Sequence, residues 1–272
     1  PLMFVKMAWR NIWRNKRRSL ITAASVSFAL FFAIVLRSLQ LGTYERAYAG
    51  VINSTTGYLQ VHQKGYWEQQ ILEHSLALTD SIHHKLQREE GVIDYLPRLE
   101  SFSLLSGPAG ETKGGLVRGL QPKLEQEYFQ IQEKLHAGRL FKAREPAVVL
   151  GKRLAEYLDL GINDTLVMIG QGYHGVSANG KYAVCGIVDL MNPEMNRQVV
   201  LMPLAEAQYL YGAPQRATSL VIIPRDENKL APLKQKLQSQ IDTTRFELMT
   251  WREMMPELVQ AHLLRAKALE QL

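Results

Sequence analysis

The sequence predicts an α+β extracytoplasmic domain, a base domain with an inserted distal subdomain, mounted on a transmembrane helix. Three observations predict it. Residues 19–36 hold no charged side chain, and such a helical run spans about 27 Å against a bilayer core of roughly 30 Å. The residues before it carry six cations, Lys6, Arg10, Arg14, Lys16, Arg17 and Arg18, and no acid. Beyond residue 45, stretches with the two-residue alternation of strands intermix with stretches of helical period, separated by Gly, Pro, Asn and Asp.

The net charge of +6 comes from 32 Lys+Arg against 26 Asp+Glu, so subtracting the six N-terminal cations leaves 26 against 26. The basic excess therefore sits at one end and stops where the apolar run begins. A nucleic-acid binder carries its charge on a folded face or a recognition helix, so this pattern points away from nucleic acid and toward a membrane boundary. Residues 1–18 read as a cytoplasmic interfacial amphipathic helix. Trp9, Arg10, Trp13, Arg14, Arg17 and Arg18 are its interface and topology residues, and simple topogenic charge explains the same cations. The positive-inside rule places this end in the cytoplasm and the chain after residue 45 on the far side.

Residues 19–44 read as the transmembrane helix, with Arg37 snorkelling outward. Ser25, Ala29 and Ala33 form a small-residue row that admits a close helix partner. Phe28, Phe32 and Leu39 are candidates for contact with a hydrophobic substrate; facing lipid is the plainer role for the same residues. Ala47-Tyr48-Ala49 has the form of a signal-peptidase site, but it lies eleven residues past Leu36 and beyond Arg37, Glu45 and Arg46. That geometry is poor for cleavage, so the helix is read as uncleaved.

The extracytoplasmic elements follow in order. Residues 57–64 read as a strand and 72–90 as a helix. Two strands flank the GPAGETKGG turn within 94–120. A helix over 124–136, a strand over 147–150, a helix over 152–158 and strands over 165–170, 182–190 and 198–202 come next. A helix at 204–210, a strand at 219–223, a helix at 228–241 and a strand at 246–250 complete the domain, and a last helix runs from 251 to the end. Gly- and Pro-rich breaks at 106–115 and 211–216 divide it. Residues 45–105 and 217–252 are the two parts of the base domain, 106–216 the inserted distal subdomain, and 253–272 a stalk helix.

Two glycine motifs invite a nucleotide reading. Gly170-Gln171-Gly172-Tyr173-His174-Gly175 has the form GxGxxG, and Gly175 to Tyr182 nearly forms a P-loop. Both need a following helix whose amides hold phosphate. The residues that follow read as a turn and a strand, with Asn179-Gly180 a favoured hairpin turn. Cys185 is the only cysteine; it sits among apolar residues and reads as a small core side chain. The seven histidines show no metal-ligand spacing, and no nucleophile–base motif is present. The sequence therefore marks no catalytic residue and no metal site.

The basic block WRN-x-WR-x-x-RR, one membrane helix and the strand GYLQVH resemble the start of permease subunits of the MacB/LolC/LolE/FtsX-type ABC transporters. The run VVLGKRLAEYLDLGINDTLVMI, then YAVCGIVDL and RQVVLMPLAEAQYLYG, is similar to that family's periplasmic core domain. The resemblance implies a bacterial inner-membrane permease with its N-terminus cytoplasmic and its main domain periplasmic. It implies four membrane helices, so that residues 253–272 would lead to a second one. It also implies a second permease subunit, identical or homologous, and a pair of cytoplasmic ABC ATPase subunits. No cofactor is implied for the permease itself. The expected work is to export or extract a hydrophobic substrate such as a lipoprotein. A membrane-anchored scaffold or sensor that regulates a periplasmic partner without transport is the alternative, and a secreted enzyme cleaved at Ala49 is a weaker one.

Overall fold

The computed structural model describes residues 14–51 and 56–256. The chain divides after Ala49 into two compact units. The first holds one long helix, α1 (Lys16–Val51).

The second unit is built on β1 (Leu59–Gln63), β3 (Val92–Ser106), β11 (Ser219–Pro224) and β12 (Phe246–Thr250), which run β12-β1-β11-β3, all antiparallel. Two helices cover one face, α3 (Asp80–Arg88) and α8 (Leu230–Gln240). Each buries a pair at i, i+4 spacing, Ile82 with Leu86 and Leu233 with Leu237, which is what presents one apolar stripe to the sheet. These four pack with Leu59, Val61, Leu220, Ile222 and Leu248 in one core. Trimming Leu86 to alanine in this core is expected to cost about 2–5 kcal/mol, read as a lower urea midpoint with unchanged slope.

Strand β3 is long, fifteen residues, and changes partners midway. Val92 to Arg98 pair with β11; Leu99 to Ser106 pair with β4 (Thr112–Leu120). From there a second sheet closes on itself. β4 pairs in parallel with β9 (Val199–Pro203), β9 antiparallel with β6 (Ala147–Gly151), and β6 in parallel with β8 (Ser177–Val188). β8 pairs with β7 (Thr165–Gln171), and β7 returns to β3 through Ser103 to Ser106. The six strands β3, β4, β9, β6, β8 and β7 thus form a closed ring. Leu99, Leu105, Val117, Leu166, Met168, Tyr182, Val184 and Val200 are in its core, which α7 (Leu204–Leu210) joins through Ala207 and Leu210. Gly119 admits that helix: a Cβ there would lie 2.4 Å from the Cβ of Ala207. Gly119→Ala is accordingly expected to lose about 1–3 kcal/mol, seen as a lower melting temperature.

Several elements differ from the sequence expectation, each for a local reason. Residues 72–90 are not one helix. A 3-10 turn (Leu72–His74) ends where Ser75 Oγ donates to Leu72 O at 2.5 Å. β2 (Leu76–Ala77) then pairs with β10 (Arg216–Ala217), and only after it does α3 begin. Residues 124–136 are likewise divided. α4 (Pro122–Phe129) stops at Gln130, whose φ of 50° is left-handed, and the chain passes through a 3-10 turn into β5 (Leu135–Gly138) on the edge of β8. Asn179-Gly180 is not a turn. It lies inside β8, and Gly180 leaves space for the Tyr182 ring, 2.5 Å from where a Cβ would be. The reversal falls instead at residues 172–176, with His174 and Gly175 at positive φ. Both glycine motifs therefore lie on a strand–turn–strand hairpin, with no helix after them. The last described helix, α9 (Trp251–Met254), stops at Met255 (φ −130°), as the residue before Pro256 is pushed out of helical geometry. Residues 257–272 lie outside the described residues.

Candidate functional site: an apolar helix and a buried charged seam

Within Lys16–Leu39, the most apolar 18-residue stretch of α1 has a mean hydropathy of 2.3 and none of it is buried, so the helix is long and apolar enough to cross a membrane. Two of its hydroxyls are satisfied within the helix. Thr22 Oγ1 donates to Arg18 O at 3.0 Å and Ser25 Oγ to Ile21 O at 2.9 Å, which removes the cost of carrying a bare hydroxyl into hydrocarbon. Phe28 and Phe32 rings lie 4.8 Å apart, and both side chains are exposed, as is Leu39. At 3.6 residues per turn, positions 28, 32 and 39 fall within about 40° of one another, on one side of the helix. Ser25, Ala29 and Ala33 form an adjacent exposed row. Arg14, Arg17 and Arg18 are exposed at the start of the helix, whereas Trp9, Arg10 and Trp13 lie outside the described residues.

In the second unit, charge is concentrated where β3 changes partners. Arg98 is 2% exposed and grips Glu125 of α4 with two hydrogen bonds, Nε to Oε1 at 2.6 Å and Nη2 to Oε2 at 2.9 Å. Its guanidinium lies 5.0 Å from the centre of the Phe129 ring. Two residues on, Glu100 pairs with Arg118 of β4. Thr218 bridges the two sites: its backbone N–H (2.8 Å) and its hydroxyl (3.1 Å) donate to Arg98 O, and the hydroxyl accepts from Glu100 N–H at 2.9 Å. Both ion pairs are thus fastened to one three-residue stretch of β3. Fork-shaped Arg–carboxylate pairs of this kind fix geometry as well as neutralise charge.

His62 of β1 lies close by, fully buried, with Nε2 2.6 Å from Gln60 Oε1 and its ring stacked on Trp67 at 5.5 Å. Burial pulls its pKa down to about 4, partly opposed by the Glu100 charge. Burial, and then Glu100, push the neighbouring Tyr66 hydroxyl well above the usual range. Between the ordinary histidine pKa near 6.5 and the folded value near 4, the unfolded chain binds the extra proton. Stability should therefore be flat above about pH 6.5 and fall as the pH drops toward 4, by about 3 kcal/mol in all. His62→Gln should flatten that segment of a stability–pH curve measured by urea unfolding.

The sequence did not single out Arg98, Glu100, Arg118, Glu125 or Thr218. The available signal was the pair of opposite charges within LPRLESFSLL, a stretch otherwise patterned as a strand. Cys185 is buried, as its apolar neighbours imply, with Sγ 3.3 Å from Val148 O. Two surface clefts, of about 340 and 400 Å³, lie at Thr79–Lys85 with Arg245 and at Gln69–Glu73 with Phe102, and no histidine or cysteine lines either. Among the described residues, no group of three His, Cys, Asp or Glu could hold a metal ion.

An α+β domain in one chain with an apolar helix of membrane-spanning length defines a class of membrane-anchored domains. The comparisons specify which. Residues 19–240 match the family of MacB-like periplasmic core domains, and the chain belongs to that family. In fold it is similar to the periplasmic region of MacB from Actinobacillus actinomycetemcomitans, at 13% identity and a TM-score of 0.53, over 77% of this chain and 95% of that one. It is also similar to the extracellular domain of the noncanonic ABC-type transporter YknZ from Gram-positive bacteria, at 10% identity and a TM-score of 0.48, over 70% of this chain and all of that one. No curated protein matches it. The family is that of a permease's periplasmic domain, which is not itself catalytic.

Proposed function

We propose that this chain supplies the first membrane helix and the periplasmic domain of a permease subunit that couples ATP hydrolysis in a separate cytoplasmic ATPase pair to movement in the periplasm. The permease sits in a bacterial inner membrane, with Trp9, Arg10, Trp13, Arg14, Arg17 and Arg18 at the cytoplasmic interface. A second permease subunit approaches along Ser25, Ala29 and Ala33. Phe28, Phe32 and Leu39 present one apolar face to a hydrophobic substrate such as a lipoprotein. The segments 45–105 with 217–252, and 106–216, act as the base and distal parts of the moving domain.

The observation that carries this reading is the continuity of β3 through both lobes, locked by Arg98–Glu125 and Glu100–Arg118. A domain that transmits displacement must not yield at its middle, and an unbroken strand with neutralised, buried charge is a stiff connection. The test is to co-purify the chain with the ATPase encoded beside it and measure hydrolysis. ATP turnover that depends on the permease, and that falls when the seam is broken by Arg118→Ala, supports coupling. Failure to associate with any ATPase, while a periplasmic protein binds the same chain, would favour the scaffold or sensor function instead.

A further inference from the structure

We infer that Arg14, Arg17 and Arg18, with Lys16 beside them, form a binding site for the phosphate headgroups of anionic phospholipids; this rests on the reading of α1 as a membrane helix. Four cations fall within five residues, all exposed. Ser19 N–H donates to Asn15 O at 3.1 Å, so α1 opens with Lys16, Arg17 and Arg18 in its first turn, and Arg14 stands just ahead of it. α1 runs unbroken from Lys16, Arg17 and Arg18 into the apolar span, so a span seated in the bilayer core sets these cations, and Arg14 two residues before them, at headgroup depth.

The first carboxylate in the sequence is Glu45, about 40 Å further along a helix. No ion pair joins Arg14, Arg17 or Arg18 among the described residues. The first turn of α1 holds no acid either, and cations there oppose the helix dipole. The arrangement is unfavourable for the helix alone and becomes favourable when anions surround it. Three of the four cations are arginines, whose planar fork matches phosphate oxygens in pairs, and juxtamembrane cations gain most from anionic lipid.

The test uses the full chain in phosphatidylcholine bilayers containing spin-labelled phosphatidylglycerol or spin-labelled phosphatidylcholine, reading the motionally restricted fraction of each. The wild type should restrict the anionic lipid roughly threefold or more over the neutral one at low salt. That preference should shrink to parity near 1 M salt, where the screening length is about 3 Å. R14Q/R17Q/R18Q should abolish it, and R14K/R17K/R18K should keep part of it. Should the glutamine variant fail to enter bilayers, the salt series and the lysine variant still decide. Equal restriction of both lipids by the wild type, or a preference that survives in the glutamine variant, would overturn the inference. Loss of the preference to inorganic phosphate, but not to chloride at equal ionic strength, would also overturn it, marking a site for free phosphate. Flotation separates the premise: a chain that does not float with vesicles defeats the membrane reading, and one that floats without lipid preference defeats only this inference.

Discussion

Arg98→Ala is expected to destabilise the protein by about 3–5 kcal/mol, because it leaves the Glu125 carboxylate buried with its partner gone. The pair lies almost wholly out of water, so little of this is screened. The informative companion is Arg98→Met with Glu125→Leu. Removing both charges at similar volume should restore most of the loss, since exchanging a buried ion pair for apolar packing is often neutral or better. Urea unfolding of the purified chain reads both. If the single substitution shifts the midpoint by less than about 1 kcal/mol, the seam is not the fastening described above.

Replacing Arg14, Arg17 and Arg18 together with glutamate is expected to invert or abolish insertion of α1. Lys/Arg excess beside the first span sets its orientation, and the three cations that remain, Lys6, Arg10 and Lys16, would be balanced by the three new acids. A phosphatase reporter fused after residue 50 should fall from full activity to near background, while a cytoplasmic reporter at the same point gains signal. Full phosphatase activity in the variant would remove the topogenic role from these arginines.

Much of the fold can be read locally. The run 20–36 has three hydroxyl residues in an otherwise apolar stretch, and it lies within α1. Apolar runs such as LVMIG and VVLMP mark β7 and β9 because burial of one or both faces leaves a direct imprint on residue type. Turn chemistry is less decisive. Asn179-Gly180 has the composition of a hairpin turn, yet β7 pairs straight across it, and the chain reverses where His174 and Gly175 accept positive φ. The pairing of β3 with β7, which closes the ring, joins residues more than sixty positions apart and leaves no mark that a local pattern could carry. The same holds for Arg98 with Glu125: each is an ordinary charged residue in sequence, and only the meeting of β3 with α4 makes them one buried unit.

The ring's dependence on β3 sets a rule for cutting the protein. The glycine-rich break near residue 106 suggests a natural boundary, but a fragment beginning there would leave behind the strand that closes the barrel. β4 and β7 would then each present an unpaired edge, and Leu105, Leu99 and their neighbours would be missing from the interior. Bare edges of that kind recruit other chains. A soluble piece made from 106–216 should therefore aggregate, whereas one that starts ahead of Val92 and runs past Pro224 keeps every strand of the ring with its neighbour.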